Sequence, residues 1–100
     1  MKDTVKQWVE EAVLKESPLA PVLEVGALDV NGTCRHLFPQ EGYIGTDMRE
    51  GHGVDLVIDI LKTGGIFREK FNTVVCLETL EHISEPWAAL DVIYDALKPQ

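Results

Sequence analysis

Two short apolar segments of the sequence each end in residues that could bind a nucleoside. Val22 to Val25 is followed by Gly26, and Tyr43 to Thr46 is followed by Asp47, 21 residues after Gly26. A glycine at such a turn lets the backbone approach a ligand closely, and a carboxylate can accept hydrogen bonds from both hydroxyls of a ribose. A strand, a glycine turn, a helix and an acidic strand end at this spacing are typical of a nucleoside-binding βαβ unit. The spacing therefore predicts a site for an adenosine-containing cofactor.

A second group of residues with catalytic potential lies near the C-terminal end of the chain. If that segment is helical, Glu78 shares a face with both Glu81 and His82. Two carboxylates and an imidazole suit a divalent ion such as Mg²⁺ or Mn²⁺, although further ligands for an octahedral site are not evident. His82 could instead be a general base, or it could bond the backbone at the strand end as a structural or polar pocket residue. We take Glu78 and His82 as catalytic candidates and expect no metal, with a site at Glu78, Glu81 and His82 as the alternative.

The elements that must position these residues alternate along the chain. An amphipathic helix is predicted over residues 3–16, because apolar residues recur there at helical spacing. Four apolar segments predict strands over 22–25, 43–46, 54–58 and 72–77, with a short helix over 33–38 between the first two. A last helix begins near the Ser84-Glu85-Pro86 segment, which supplies an N-cap and a proline for the first turn. Its predicted apolar face consists of Trp87, Leu90, Ile93, Tyr94 and Leu97.

This alternation of apolar strands and helices predicts one α/β domain of 100 residues with a parallel sheet. The net charge of -8 disfavours non-specific binding to nucleic acids, since an acidic surface repels phosphates. No apolar run reaches the roughly 18 residues that a membrane helix needs, and the N-terminus lacks the apolar core of a signal peptide. We expect no membrane association and a cytoplasmic location, with Cys34 and Cys76 as reduced thiols.

Four segments in this order resemble a class I S-adenosylmethionine-dependent methyltransferase. They are 22–26, 43–47, 55–60 and 71–99, and together they cover nearly the whole chain after residue 20. The closest group carries a Glu-His-Ile or Glu-His-Leu signature after the fourth strand, which here is Glu81-His82-Ile83, and a helix that ends in Leu-Lys-Pro, here Leu97-Lys98-Pro99. The resemblance implies a Rossmann-like open parallel sheet with helices on both faces, in partial form with strand order 3-2-1-4. It also implies S-adenosylmethionine as the cofactor.

The resemblance assigns a role to each matched position. Glu24 and Gly26 would hold the methionine part of the cofactor, Asp47 would bind the ribose hydroxyls, and Met48 would pack on the adenine. Asp59 would accept a hydrogen bond from the adenine amino group, and Ile60 would supply a backbone amide. Cys76, Leu77 and Glu78 would line the pocket near the methyl group. The Glu-x-x-Glu-His pattern at 78–82 also resembles the metal site of ubiquinone-pathway O-methyltransferases and small-RNA 2′-O-methyltransferases.

Two features depart from the family pattern. Of the usual Gly-x-Gly-x-Gly turn only Gly26 is present, because Leu28 and Val30 occupy the next two glycine positions. The family has seven strands, whereas only the first four are predicted here, so the cofactor half (20–100) would be present without most of the half that shapes the acceptor pocket. The fourth strand would then be an open edge, which favours pairing with another copy of the chain.

Two other functions remain open at this point. A non-catalytic cofactor-binding or oligomerisation module would explain the missing strands. An NAD-dependent oxidoreductase also has an acidic residue after the second strand, but it requires a fuller glycine turn than this chain has. The methyl acceptor, whether a small molecule or a macromolecule, is not indicated by the sequence.

Overall fold

A parallel sheet of four strands forms the centre of the computed structural model, which describes residues 3–29, 32–77 and 79–99. The sheet order is β3-β2-β1-β4, and every neighbouring pair is parallel. The α/β class and the strand order predicted from the sequence are therefore confirmed. The strands are β1 (Val22–Val25), β2 (Ile44–Asp47), β3 (Leu56–Val57) and β4 (Thr73–Cys76).

The strands and connections differ in length from the predictions. β3 has two residues instead of the predicted five, although hydrogen bonds from Asp55 N–H to the Gly45 carbonyl and from Ile58 N–H to the Asp47 carbonyl, both 2.8 Å, continue the pairing on each side. The predicted helix over 33–38 is a 3₁₀ turn, Arg35–Leu37. Further 3₁₀ turns span Ile60–Lys62 and Leu80–His82. The connection between β1 and β2 therefore has a 3₁₀ turn, and no α-helix, among its described residues.

One face of the sheet is covered by α2 (Pro86–Ala96). Leu23 and Val25 of β1 belong to a core cluster with Ala89 and Ala96 of α2 and with Ile60. β1 is buried at all four positions, as expected for a central strand of a parallel sheet. The ends of β1 are therefore held rigidly between the helix and the neighbouring strands.

The opposite face carries a smaller cluster formed by Val22, Tyr43 and Val75. The helix α1 (Asp3–Glu16) buries Val9, and its Lys6 and Glu10 lie close enough to act on the thiol of Cys34. Burial, the largest influence, raises the pKa of that thiol, while the Lys6 charge lowers it. The Cys34 thiol in turn raises the pKa of Tyr43, which belongs to this second cluster.

The apolar face predicted for α2 is partly wrong. Trp87 and Tyr94 are 77% and 82% exposed, and Leu90 is 46% exposed. The helix instead turns its small residues Ala89 and Ala96 to the sheet, at 0% and 1% exposure, with Val92 and Ile93 packed beside them. Two alanines allow a closer approach of the helix to the strands than aromatic side chains would.

The N-cap of α2 also differs from the prediction. It is Glu85 and not Ser84, and its side chain makes no capping hydrogen bond.

The outer edge of β4 is paired only at its beginning within the described residues. Phe71, just before β4, forms a parallel bridge with Leu97, and the Lys98 N–H donates to the Phe71 carbonyl at 2.8 Å. Pairing of this edge with a second copy stays a prediction. In the part of the chain that the structure describes, no helix is long and apolar enough to cross a membrane.

Candidate functional site

A cleft of about 770 Å³ lies at the carboxyl ends of β1, β2 and β4. The strand order reverses here, because the chain runs from β1 outward to β2 and β3 and then returns to place β4 on the other side of β1. In open α/β sheets such a switch point is where ligands bind. The cleft brings together eight of the residues predicted from the sequence: Glu24, Gly26, Asp47, Met48, Asp59, Ile60, Leu77 and His82.

The turn after β1 is built around Gly26. This residue has a φ of +79°, in the left-handed region that glycine tolerates best. The N–H groups of Gly26 and Ala27 both donate to the Thr46 carbonyl at 2.8 Å, which ties the turn to β2. A Cβ atom on Gly26 would lie only 2.7 Å from the Cγ2 atom of Thr79. The glycine is required by its backbone conformation and by the close approach of Thr79.

The carboxylate of Asp47 is held at the end of β2 by two backbone amides. Its Oδ2 atom accepts from the Leu28 N–H at 3.2 Å, and its Oδ1 atom accepts from the Arg49 N–H at 3.0 Å. The Arg49 guanidinium lies 3.9 Å from Oδ1, and its side chain is 73% exposed. A carboxylate has about four acceptor positions, so two remain for a ligand. The turn after β1 therefore fixes the orientation of this side chain.

The residues after β3 form the far wall of the cleft. Oδ1 of Asp59 accepts from the Leu61 N–H at 2.9 Å and so caps the 3₁₀ turn Ile60–Lys62. The side chain of Ile60 is buried in the main core cluster, so the backbone of this residue is the part available to a ligand in the cleft. Met48 is 68% exposed at the rim, where its flexible thioether can contact a flat ligand.

Glu24 is a buried carboxylate on the side of the cleft nearest the second face of the sheet. The Tyr43 hydroxyl donates to its Oε1 atom at 2.6 Å. Burial raises the pKa of Glu24, while the Tyr43 hydrogen bond and the Arg35 charge lower it. The pKa of Tyr43 is raised by burial and by this same hydrogen bond. Tyr43 is therefore a stable neutral donor that orients the carboxylate.

Arg35 links this pair to the loop before β3. Its guanidinium carbon lies 4.4 Å from the centre of the Tyr43 ring, in cation–π contact. The same group bonds the Gly53 carbonyl at 3.2 Å and Oδ2 of Asp55 at 3.0 Å. Oδ2 of Asp55 also accepts from the Gly45 N–H at 2.7 Å. One side chain thus connects Glu24, through Tyr43, to β2 and to the loop before β3.

Cys76 and Leu77, at the end of β4, lie in different environments. Leu77 lines the cleft, whereas Cys76 is not among the lining residues and packs instead against the main core cluster. Burial raises the pKa of the Cys76 thiol, and its hydrogen bond with Thr79 lowers it. Glu78 lies outside the described residues, so its predicted catalytic role stays a prediction.

His82 lies at the mouth of the cleft. Its imidazole is 77% exposed, and its Nε2 atom is 3.5 Å from Oε1 of Glu81. This pair does not by itself form a metal site, and the described residues contain no group of three His, Cys, Asp or Glu side chains that could hold a metal ion. An exposed imidazole beside a carboxylate can still accept a proton from a group that enters the cleft.

The charge of the cleft is predominantly negative. Glu24, Asp47 and Asp59 line it, against one guanidinium from Arg49 at the rim. A cationic ligand would be attracted to this wall, and a ligand with a pyrophosphate would be repelled. The arrangement favours a ligand that carries positive charge.

Sequence reasoning missed two contributors to the site. Thr79 fills the space beside Gly26, and Tyr43, expected only as a strand residue, orients Glu24. Glu24 stands within an apolar strand, which indicates that its carboxylate is buried. A buried carboxylate requires a hydrogen-bond donor, and Tyr43 is that donor. The sequence contains no comparable signal for Thr79.

Comparison with known proteins finds no family model, no curated protein and no solved structure that matches this chain.

Proposed function

We propose that the cleft binds S-adenosylmethionine and that the chain is the cofactor-binding part of a class I methyltransferase. The observation that carries the proposal is the convergence of Gly26 and Asp47, from the ends of two adjacent strands, on one cleft at the switch point of the sheet. Asp47 is held by two amides while two acceptor positions remain for ribose hydroxyls.

The charge of the cleft supports this cofactor over NAD. S-Adenosylmethionine has a sulfonium cation and no phosphate, whereas NAD has an anionic pyrophosphate that normally binds to a glycine-rich helix N-terminus. After β1 this chain has a turn whose first two amides already donate to the Thr46 carbonyl, and whose Leu28 amide donates to the carboxylate of Asp47. Neither feature suits a pyrophosphate.

The residues of the cleft define how transfer would proceed. When bound, the cofactor supplies an electrophilic methyl group, so the protein contributes mainly alignment and exclusion of water. Asp47 would hold the ribose, Asp59 and Met48 the adenine, and Glu24 the positively charged end. His82 at the mouth would accept the proton from an oxygen nucleophile. A cytoplasmic location is part of the same proposal.

One observation favours a second function, cofactor binding without turnover. His82 is mostly exposed, and its one ion partner among the described residues is the exposed Glu81. Nothing in that part of the chain fixes the imidazole towards the cleft. A module that binds the cofactor and leaves catalysis to another chain would have this arrangement.

Calorimetric titration of S-adenosylmethionine, S-adenosylhomocysteine and NAD into the chain tests the proposal. We expect the first two to bind, NAD not to bind, and Asp47→Ala to weaken binding by at least about tenfold, the size of one lost charge-assisted contact. Asp47→Asn, which keeps one acceptor oxygen, should lie between the wild type and Asp47→Ala. Asp91→Ala, which removes an exposed carboxylate outside the cleft, is the matched control.

Circular dichroism of each variant separates loss of binding from loss of the fold. Absence of binding by the folded wild-type chain, or binding that Asp47→Ala leaves unchanged, would overturn the proposal. Binding without methyl transfer to any nucleophile would select the non-catalytic alternative.

A further inference from the structure

The outward side of α2 carries an apolar stripe that the sheet does not use. Trp87, Leu90 and Tyr94 lie at positions i, i+3 and i+7, so they share one side of the helix, and each is exposed. They point away from the side on which Ala89 and Ala96 meet the core. We call these three residues the α2 stripe.

The composition of the α2 stripe is that of a protein-binding surface. Tryptophan and tyrosine are the residues most enriched among those that dominate binding energy at interfaces, because they bury a large area with few rotatable bonds. A single exposed apolar residue needs no explanation, but three in register on one helix make a continuous patch. None of the three lines the cofactor cleft.

The charges beside the stripe indicate the nature of its partner. Asp91 and Asp95 follow one edge of the stripe, one turn apart, and α2 has no lysine or arginine. Arg68 lies 3.5 Å from Asp95, whereas Asp91 is exposed and has no ion-pair partner in the described segments. The carboxylate of Asp91 is therefore available to a cation placed next to Trp87 and Tyr94.

A second copy of the chain is disfavoured as the occupant. Each copy has a net charge of -8, and a symmetric contact between two α2 helices would bring the carboxylates of Asp91 close together. An acidic helix and a nucleic acid are disfavoured for the same reason. A basic partner has the complementary charge.

We propose that the α2 stripe docks a basic amphipathic helix of a partner protein. The apolar side of that helix covers Trp87, Leu90 and Tyr94, and a lysine or arginine on its flank pairs with Asp91. In such a contact the apolar residues at i, i+3 and i+7 of α2 pack between those of the partner helix. The proposal is independent of the cofactor cleft.

A designed peptide of leucine and lysine, with the leucines on one helical face, serves as the probe. A matched peptide with glutamate in place of lysine is its counterpart. In a Trp8→Phe background Trp87 is the sole tryptophan, since the chain has two. We expect the lysine peptide to shift the Trp87 emission to shorter wavelength, and the glutamate peptide to leave it unchanged.

Calorimetry with the same peptides measures the contribution of each residue. Trp87→Ala and Tyr94→Ala should each weaken binding of the lysine peptide by about tenfold or more, as expected for interface anchors. Asp91→Lys should weaken it similarly and should permit binding of the glutamate peptide. Trp8→Ala is the matched control, because it removes an exposed tryptophan from α1 and should leave the affinity unchanged.

Other results of these experiments would overturn the proposal. Equal affinity for both peptides, equal losses in Trp8→Ala and Trp87→Ala, or no binding by the folded chain would overturn the proposal. A dimer in light scattering that dissociates on Trp87→Ala would also overturn it, since the stripe would then be occupied by a second copy.

Discussion

Thr79 occupies the space that a side chain on Gly26 would need. A Cβ atom at Gly26 would lie 2.7 Å from Cγ2 of Thr79, and Gly26 has a φ of +79°. Gly26 directly follows β1, and Thr79 lies three residues after the end of the neighbouring strand β4, so both are at the cleft. Packing of the segment after β4 against the turn after β1 therefore depends on the absence of a side chain at position 26.

Comparison of Gly26→Ala with a glycine that has a positive φ but no close neighbour separates the steric collision from the cost of the backbone conformation. We expect Gly26→Ala to lower the free energy of unfolding by roughly 2–4 kcal/mol, the sum of a left-handed alanine and a steric collision. Gly64→Ala is the matched control, because Gly64 also has a positive φ, +58°, but a Cβ atom there would meet no other group within 4 Å. It should cost only about 1 kcal/mol. Urea denaturation measures both.

The double variant Gly26→Ala/Thr79→Ala, together with Thr79→Ala alone, completes the thermodynamic cycle. Removal of the Thr79 hydroxyl and methyl groups should restore part of the stability lost in Gly26→Ala, with a coupling of about 1 kcal/mol between the sites. Strictly additive effects would show that the collision does not determine the choice of glycine.

Glu24→Gln is expected to change the pH dependence of stability. Burial raises the pKa of Glu24 above its ordinary value of 4.5, so the native state binds this proton more tightly than the unfolded state. The stability that Glu24 contributes is therefore fully present below pH 4.5 and is lost as the pH rises through the higher native pKa. Glutamine does not ionise, and its side-chain oxygen can still accept from Tyr43. Relative to wild type, Glu24→Gln should gain stability as the pH rises from 4.5 towards neutrality.

Urea denaturation at a series of pH values measures this difference. A Glu24→Gln curve parallel to that of the wild type would contradict it. On the proposed function, the same variant should lose part of its preference for the sulfonium of S-adenosylmethionine over the neutral S-adenosylhomocysteine. Stability gained together with selectivity lost would show that the buried charge is kept for binding.

Arg35→Lys is expected to destabilise the fold although the charge is kept. The planar guanidinium stacks on Tyr43 while it bonds Gly53 and Asp55, and a single ammonium group cannot reproduce these contacts together. We expect a loss of about 1–2 kcal/mol in the free energy of unfolding. Arg68→Lys is the control, because that exposed side chain pairs with Asp95 on the surface; the variant should lose no more than about 0.5 kcal/mol. Equal losses of unfolding free energy in the two variants would show that the combined contacts of Arg35 do not stabilise the fold.

Much of the fold was predictable because it depends on local patterns. Val22–Val25 is apolar at three of four positions and ends at a glycine, so a buried strand follows directly from its residues. The strand order came from the family resemblance, and the sheet confirms it. Gly26 and Asp47 were found by spacing alone, and the structure brings both to one cleft.

The remaining features depend on contacts between distant residues. The pairing of Tyr43 with Glu24 and the approach of Thr79 to Gly26 join positions 19 and 53 residues apart, and no spacing rule predicts them. The side of α2 that faces the sheet was predicted partly wrongly for a related reason, since Ile93 packs on the core whereas Trp87 and Tyr94 do not. Trp87 and Tyr94 have much more apolar surface to bury than Ala89, but a helix that packs closely on strands requires small side chains at the contact.

Substitutions on the two sides of α2 test this orientation. Ala89 is 0% exposed beneath the helix, so Ala89→Leu should overpack the core and lower the free energy of unfolding by about 1–3 kcal/mol. Trp87→Ala removes a much larger side chain, yet it should change the free energy of unfolding by no more than about 0.5 kcal/mol, because that side chain is 77% exposed. Urea denaturation of both variants, with Trp8→Ala as a second exposed site, measures the contrast. A large loss in Trp87→Ala with little effect of Ala89→Leu would reverse the assignment and return the aromatic side of α2 to the core.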